Sequence, residues 1–140
     1  MRIAVIGGGF YGAMAALESA SHNSVKEVVI YEKNADLFSG AAKFNQARLH
    51  LGYHYPRSPK TIQQSLDGFK FYAQRFPKVR KKINNNIYVV REDGHISADN
   101  YIETMQSYNL KFSDVCLSNF PFGYKSNGID HVALRVEEEW

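Results

Sequence analysis

Three glycines and one acid carry the chemistry that this sequence makes readable. Gly7, Gly9 and Gly12 stand at GxGxxG spacing within IAVIGGGFYG (residues 3–12), and Glu32 closes a second apolar run, VVIYE (28–32). A glycine turn at the start of a helix brings main-chain N–H groups against an anion. Gly7 lets the chain leave a strand sharply. Gly9, without a Cβ, lets a pyrophosphate approach the backbone, and Gly12 lets the helix lie close on the strand. The helix dipole adds to the attraction for negative charge. Glu32 follows the turn at roughly the 20 or more residues expected for an acid that accepts hydrogen bonds from a ribose. Its charge would repel a 2′-phosphate, which argues against NADP. The set describes a site for the adenosine diphosphate half of a dinucleotide.

Such a site needs a strand, a helix and a second parallel strand. Residues 2–6 are apolar after Arg2 and carry the β-branched Ile3, Val5 and Ile6, as a parallel strand buried on both faces should. Residues 10–21 offer Ala13, Ala15, Ala16, Leu17 and Ala20 as a thin helical surface, broken by Ser21-His22-Asn23-Ser24. Residues 28–32 are the second strand. A bare GxGxxG says little; one that follows a strand, opens a helix and finds its acid at the next strand end says more. The plainer alternative is a glycine-rich turn with Glu32 merely solvated.

Size and composition set bounds. A chain of 140 residues is one domain, or one domain with part of another. A formal charge of +3 is too small to imply nucleic acid. The single Cys116 excludes an internal disulfide framework and fits a reducing compartment. The N-terminal apolar stretch is cut by glycines and already used as a strand, so it does not read as a signal peptide. No run approaches the ~18 apolar residues of a membrane span. The expectation is a cytoplasmic protein with no membrane and no nucleic-acid partner.

Beyond Glu32, residues 33–48 read as a loop. Residues 49–56, LHLGYHYP, alternate like a strand, with Leu49, Leu51, Tyr53 and Tyr55 on one face and His50, Gly52 and His54 on the other. Ser58 and Pro59 read as an N-cap and first-turn pair. The helix they open carries Ile62, Leu66, Phe69, Ala73 and Phe76 on one stripe and stops at Pro77. A basic stretch at 78–82 reads as a solvated helix end. Asn84-Asn85-Asn86 reads as a turn, 87–90 as a strand and Asp93-Gly94 as a turn. Ser97 caps a helix with Tyr101, Ile102, Met105 and Tyr108, 120–128 is loop, and 131–136 alternates as a strand. Two strands alone cannot cover their own edges. Either 87–90 and 131–136 complete the nucleotide-binding sheet, or the chain is the front part of a longer protein.

The opening GGGFYG, the pair Glu32-Lys33 and the stretch GAAKFNQARLHLGYHYPRS (40–58) resemble the N-terminal part of FAD-dependent oxidoreductases of the D-amino-acid oxidase type. The resemblance is strong over residues 1–58 and loose over 59–140. It implies an α/β fold: a Rossmann-like FAD-binding βαβ unit with its flavin loop over 1–58, then the beginning of an α+β substrate domain over 59–140. It gives Gly7, Gly9, Phe10, Tyr11 and Gly12 to the pyrophosphate turn, Glu32 to the ribose and Lys33 to the adenine edge. Asn45, Gln46, Ala47 and Arg48 would run along the pyrophosphate and ribityl chain toward the flavin ring. Arg48 could neutralise phosphate charge, or equally sit in a surface salt bridge. On the strand read at 49–56, the bare backbone of Gly52 leaves room for a flat ring, flanked by His50 and His54. One of these histidines could donate to the flavin or carry it covalently; the plainer alternative is two partly exposed polar residues. A metal site there is disfavoured, because no acidic or cysteine ligand lies close by.

The implied activity is oxidation of a C–N or C–O bond of a small-molecule substrate by hydride transfer to FAD, with no catalytic acid or base named. Two alternatives stay open: an NAD-binding dehydrogenase, which shares the glycine turn and acid, and a non-catalytic nucleotide-binding fragment of a disrupted oxidoreductase. The tyrosines at 53, 55, 101, 108 and 124 could line a pocket or serve as packing.

Overall fold

A computed structural model of the chain describes residues 1–115 and 131–139, without side-chain detail at 84, 85, 131 and 137–139. Cys116, Tyr124 and the loop read at 120–128 lie outside the described residues. The chain divides into two compact units, Met1–Gln46 and Ala47–Trp140.

The first unit is the expected βαβ arrangement. β1 (Arg2–Ile6) pairs in parallel with β2 (Glu27–Tyr31), in a register running from Arg2 opposite Glu27 to Ile6 opposite Tyr31. The Gly7 N–H donates to the Tyr31 carbonyl at 2.8 Å and carries the ladder one residue into the glycine turn. α1 (Phe10–Ala20) crosses between the strands and packs on both. β1 is covered on one face only, which corrects the expectation of burial on both. Ile3 and Val5 are half-buried while Arg2, Ala4 and Ile6 are exposed, Ile6 to 83%. The one helix of small residues shields one side of β1, whereas Val28, Val29 and Ile30 of β2 are all half-buried. Arg2 and Glu27 form an exposed ion pair across the first rung, a contact of small energetic weight.

The second unit has its own sheet. β3 (Lys82–Arg91), β4 (Phe112–Asp114) and β5 (His131–Glu139) are antiparallel in the order β3-β5-β4. The strands read at 87–90 and 131–136 therefore pair with each other and do not extend the β1–β2 sheet. The Asn84–Asn86 turn is likewise corrected. β3 runs through it, and a register shift between Ile83 and Asn86 absorbs the extra residue as a bulge. α2 (Pro59–Arg75) and α3 (Ala98–Ser107) complete the unit. Its core joins Tyr53, Ile62, Tyr101, Met105, Leu134 and Val136, all essentially buried.

Local signals account for most helix ends. The Ser97 hydroxyl accepts from the Asn100 N–H at 3.2 Å, as a cap should. α3 ends with Asn109 at φ 56°; Leu110 N–H donates to Met105 O at 3.0 Å and Asn109 N–H to Gln106 O at 2.9 Å. That is a Schellman ending, with Leu110 as its buried apolar contact. It leaves Tyr108 just past the helix. Ser58 precedes α2, but its hydroxyl bonds the Thr61 hydroxyl at 2.7 Å and not a main-chain N–H.

The segment 49–56 is not a strand. It folds as turns, with Gly52 at φ +105° and its carbonyl accepting from Tyr55 N–H at 2.9 Å. The alternation that suggested a strand comes from a different cause. Tyr53 plugs the core, its hydroxyl donates to Lys111 O at 2.5 Å, and its own carbonyl accepts from the Tyr101 hydroxyl at 2.9 Å.

Candidate cofactor site

The glycine turn is shaped by contacts that differ from one glycine to the next. Gly7 has φ +98°, a conformation that side-chain-bearing residues rarely adopt. Gly12 faces the turn across the first helical residues, and a Cβ there would strike the Gly7 carbonyl oxygen and lie 3.5 Å from Val5 Cγ1. Close approach of α1 to β1 therefore needs Gly12. Gly9 is the N-cap of α1, and a Cβ built on it would meet nothing within 4 Å. The space beside Gly9 is open, no side chain caps this helix end, and the first turn carries no acid. Such an end can take an anionic ligand. Phe10 is half-exposed and Tyr11 is 89% exposed, their rings edge to face at 6.1 Å.

Glu32 sits one residue past β2 and turns back to the glycine turn. Its Oε2 accepts the Gly8 N–H at 2.6 Å; its Oε1 accepts the Asn34 N–H at 2.9 Å and Asn34 Nδ2 at 3.0 Å. These donors, the Asn34 amide foremost and then the Gly8 amide, hold its carboxyl below the usual glutamate range. The residue is half-buried, so the carboxylate is fixed in place without being sealed from a ligand. The acid and the glycine turn, 24 residues apart in the chain, thus form one site.

Lys33 follows Glu32 and is exposed. Asn45 and Gln46 are exposed at the end of the first unit, after a 3-10 turn at Ala41–Phe44. Ala47, at φ 53°, and the half-buried Arg48 open the second unit. Within that unit the turns at 49–56 bring His50 and His54 together, ring centroids 5.0 Å apart, and set His54 4.7 Å from Tyr88. Gly52 does not present the open platform read from the sequence. It is buried, and a Cβ on it would lie 3.0 Å from Ile62 Cγ2 and 3.1 Å from Ile62 Cα. Its bare side is filled by α2. Among the described residues no group of three or more His, Cys, Asp or Glu is placed to hold a metal ion, and no helix is long and apolar enough to cross a membrane.

Four residues at this site were not singled out from the sequence: Gly8, Asn34, Leu37 and Phe38. The signal for Gly8 was present, since GGG has one glycine more than GxGxxG requires. Asn34 stands two residues after the acid, where an amide side chain readily folds back.

Residues 2–114 match the family described as FAD dependent oxidoreductase. The chain is 34% identical over 114 residues to "FAD-dependent monooxygenase FPY4" of Fusarium mangiferae, covering 80% of this chain and 30% of that protein. It is 28% identical over 116 residues to "FAD-dependent monooxygenase kojA" of Aspergillus flavus, covering 83% of this chain and 26% of that protein. The probable kojA of Aspergillus oryzae matches to the same extent. The chain thus spans less than a third of the length of these curated relatives. No solved structure matches it.

Proposed function

The chain belongs to the FAD dependent oxidoreductase family, and from that premise we propose that its first unit holds the adenosine diphosphate half of FAD. The observation that carries this is the join between Glu32 and the glycine turn: a fixed carboxylate beside an open, uncapped helix start. The diphosphate would take main-chain N–H groups around Gly9, Phe10 and Tyr11, and the adenosine ribose would donate to Glu32. Lys33 would lie along the adenine edge. For Asn45 and Gln46, the last residues of that unit, the resemblance implies a place along the diphosphate and ribityl stretch. Bound FAD would supply the hydride acceptor, and the protein's part would be to orient the cofactor and shape its surroundings.

The whole protein's reaction is proposed to be oxidation of a small molecule at a C–N or C–O bond. The names of the relatives favour a second reading, in which the reduced cofactor serves insertion of oxygen. The FAD family match displaces the nicotinamide alternative. Titration of the chain with FAD, followed by flavin fluorescence, tests the cofactor site. Gly9→Val should abolish binding and leave the β1–β2 ladder intact. Equal binding by wild type and Gly9→Val would remove the diphosphate from this position.

A further inference from the structure

Gly8 is held on three sides by the loop after β2. Its N–H donates to Glu32 Oε2 at 2.6 Å, and its C=O accepts from the Phe38 N–H at 2.8 Å. The space a Gly8 side chain would take is filled by Leu37 Cδ2. Phe38 reaches this bond at φ 60°, a conformation that bulky residues rarely adopt. A bulky residue persists there only when its surroundings over-determine it, and such positions gather at ligand sites.

We propose that Leu37 and Phe38 are positioning residues that clamp Gly8 on either side of its Cα and thereby aim the Glu32 carboxylate at the ribose of the bound cofactor. The proposal rests on the reading of Glu32 as the ribose acceptor. The Phe38 N–H fixes the direction of the Gly8 carbonyl. The Gly8 N–H lies in the preceding peptide plane, and with Leu37 packed against the Gly8 Cα the φ and ψ that join the two planes are held as well. That N–H holds Oε2, while Asn34 holds Oε1 from the other side. The carboxylate is oriented before any ligand arrives, so binding need not order it. What matters at position 38 is the backbone conformation and its N–H; the residue is 43% exposed.

The test separates backbone from ring. Phe38→Gly removes the ring, keeps the N–H and suits a positive φ. Phe38→Val keeps apolar bulk but resists that φ. The probes are ADP and 2′-deoxy-ADP, measured by calorimetry. Amide exchange of Gly8 reports the clamp, and that of Gly7, bonded to Tyr31, reports the strand ladder. The wild-type chain should prefer ADP about tenfold, the worth of a hydrogen bond to a charged acceptor. Phe38→Gly should keep that preference. Phe38→Val should lose it and expose the Gly8 amide while Gly7 stays protected. Leu37→Ala, the milder change, should shrink the preference with Gly7 again unchanged.

A wild-type preference retained in Phe38→Val, or lost equally in Phe38→Gly, overturns the clamp alone. ADP binding without any preference in the wild type removes Glu32 from the ribose and the clamp with it. No binding of ADP or FAD by the wild type overturns the cofactor reading itself.

Discussion

Replacing Gly12 and Gly9 by alanine in turn should separate a glycine needed for folding from one needed for ligand. At Gly12 the new Cβ would run into the Gly7 carbonyl oxygen and lie 3.0 Å from its carbon. The obstacle is backbone, so no side chain can swing aside, and α1 must back away from the turn. Overpacking of this kind costs roughly 1–3 kcal/mol, offset by at most about 1 kcal/mol of better helix propensity for alanine. A net loss of about 1–2 kcal/mol corresponds to roughly 5- to 30-fold faster amide exchange in the β1–β2 ladder. At Gly9 the new Cβ meets nothing within 4 Å and φ is an ordinary −76°. The cost there should stay within about 0.5 kcal/mol, that of a poorer N-cap. Because the chain forms two units, a single melting temperature would blend them. Residue-resolved hydrogen exchange on the full chain is the suitable assay, with FAD titration alongside. Gly9→Ala should weaken FAD while sparing exchange. If both variants lose equal protection, or Gly12→Ala loses none, the steric reasoning fails.

Gly52→Ala should destabilise the second unit by roughly 1–3 kcal/mol, from strain at φ +105° and crowding against Ile62, and exchange in β3 and β5 should show it. Tyr101→Phe should cost roughly 0.5–1.5 kcal/mol through the lost hydrogen bond to Tyr53 O, seen as a small drop in the second unit's denaturant midpoint. The depressed Glu32 carboxyl should stabilise the first unit fully above the unfolded glutamate range near 4.5. That contribution should fade as pH falls through the lower folded value. Gly8 amide exchange followed against pH should show this, and Glu32→Gln should flatten the profile.

Readability of the fold followed how locally each element is determined. β1, α1, β2 and α3 were readable because strand composition, glycine turn, Ser97 cap and apolar spacing all act within a few residues. The segment 49–56 was misread because alternation has two sources. In a strand it reflects two faces; here Gly52 and Tyr53 are both buried, the first making room for Ile62 and the second filling the core. The asparagine run misled for a related reason. Its residues favour turns in isolation, but pairing of β3 with β5 on both sides carries the strand through as a bulge. β4 was missed because three residues carry too little pattern, and its partner in β5 supplies the rest.

The candidate site divides along the same line. Gly7, Gly9, Gly12 and Glu32 were readable because the chemistry of holding a diphosphate and a ribose restricts residue type at fixed spacing. What holds the acid in place was not, because nothing restricts the types of its supports. Any residue supplies the N–H that Phe38 offers Gly8, and the sequence does not record its positive φ. Leu37 fills space that other apolar residues could fill. A site built largely on main-chain groups therefore shows in sequence only where a side chain must be absent, as at the glycines, or charged, as at Glu32. The middle glycine of GGG, Gly8, follows the same rule. The fingerprint leaves Gly8 unconstrained, yet Leu37 occupies the place of its side chain, so there too the requirement is for an absence.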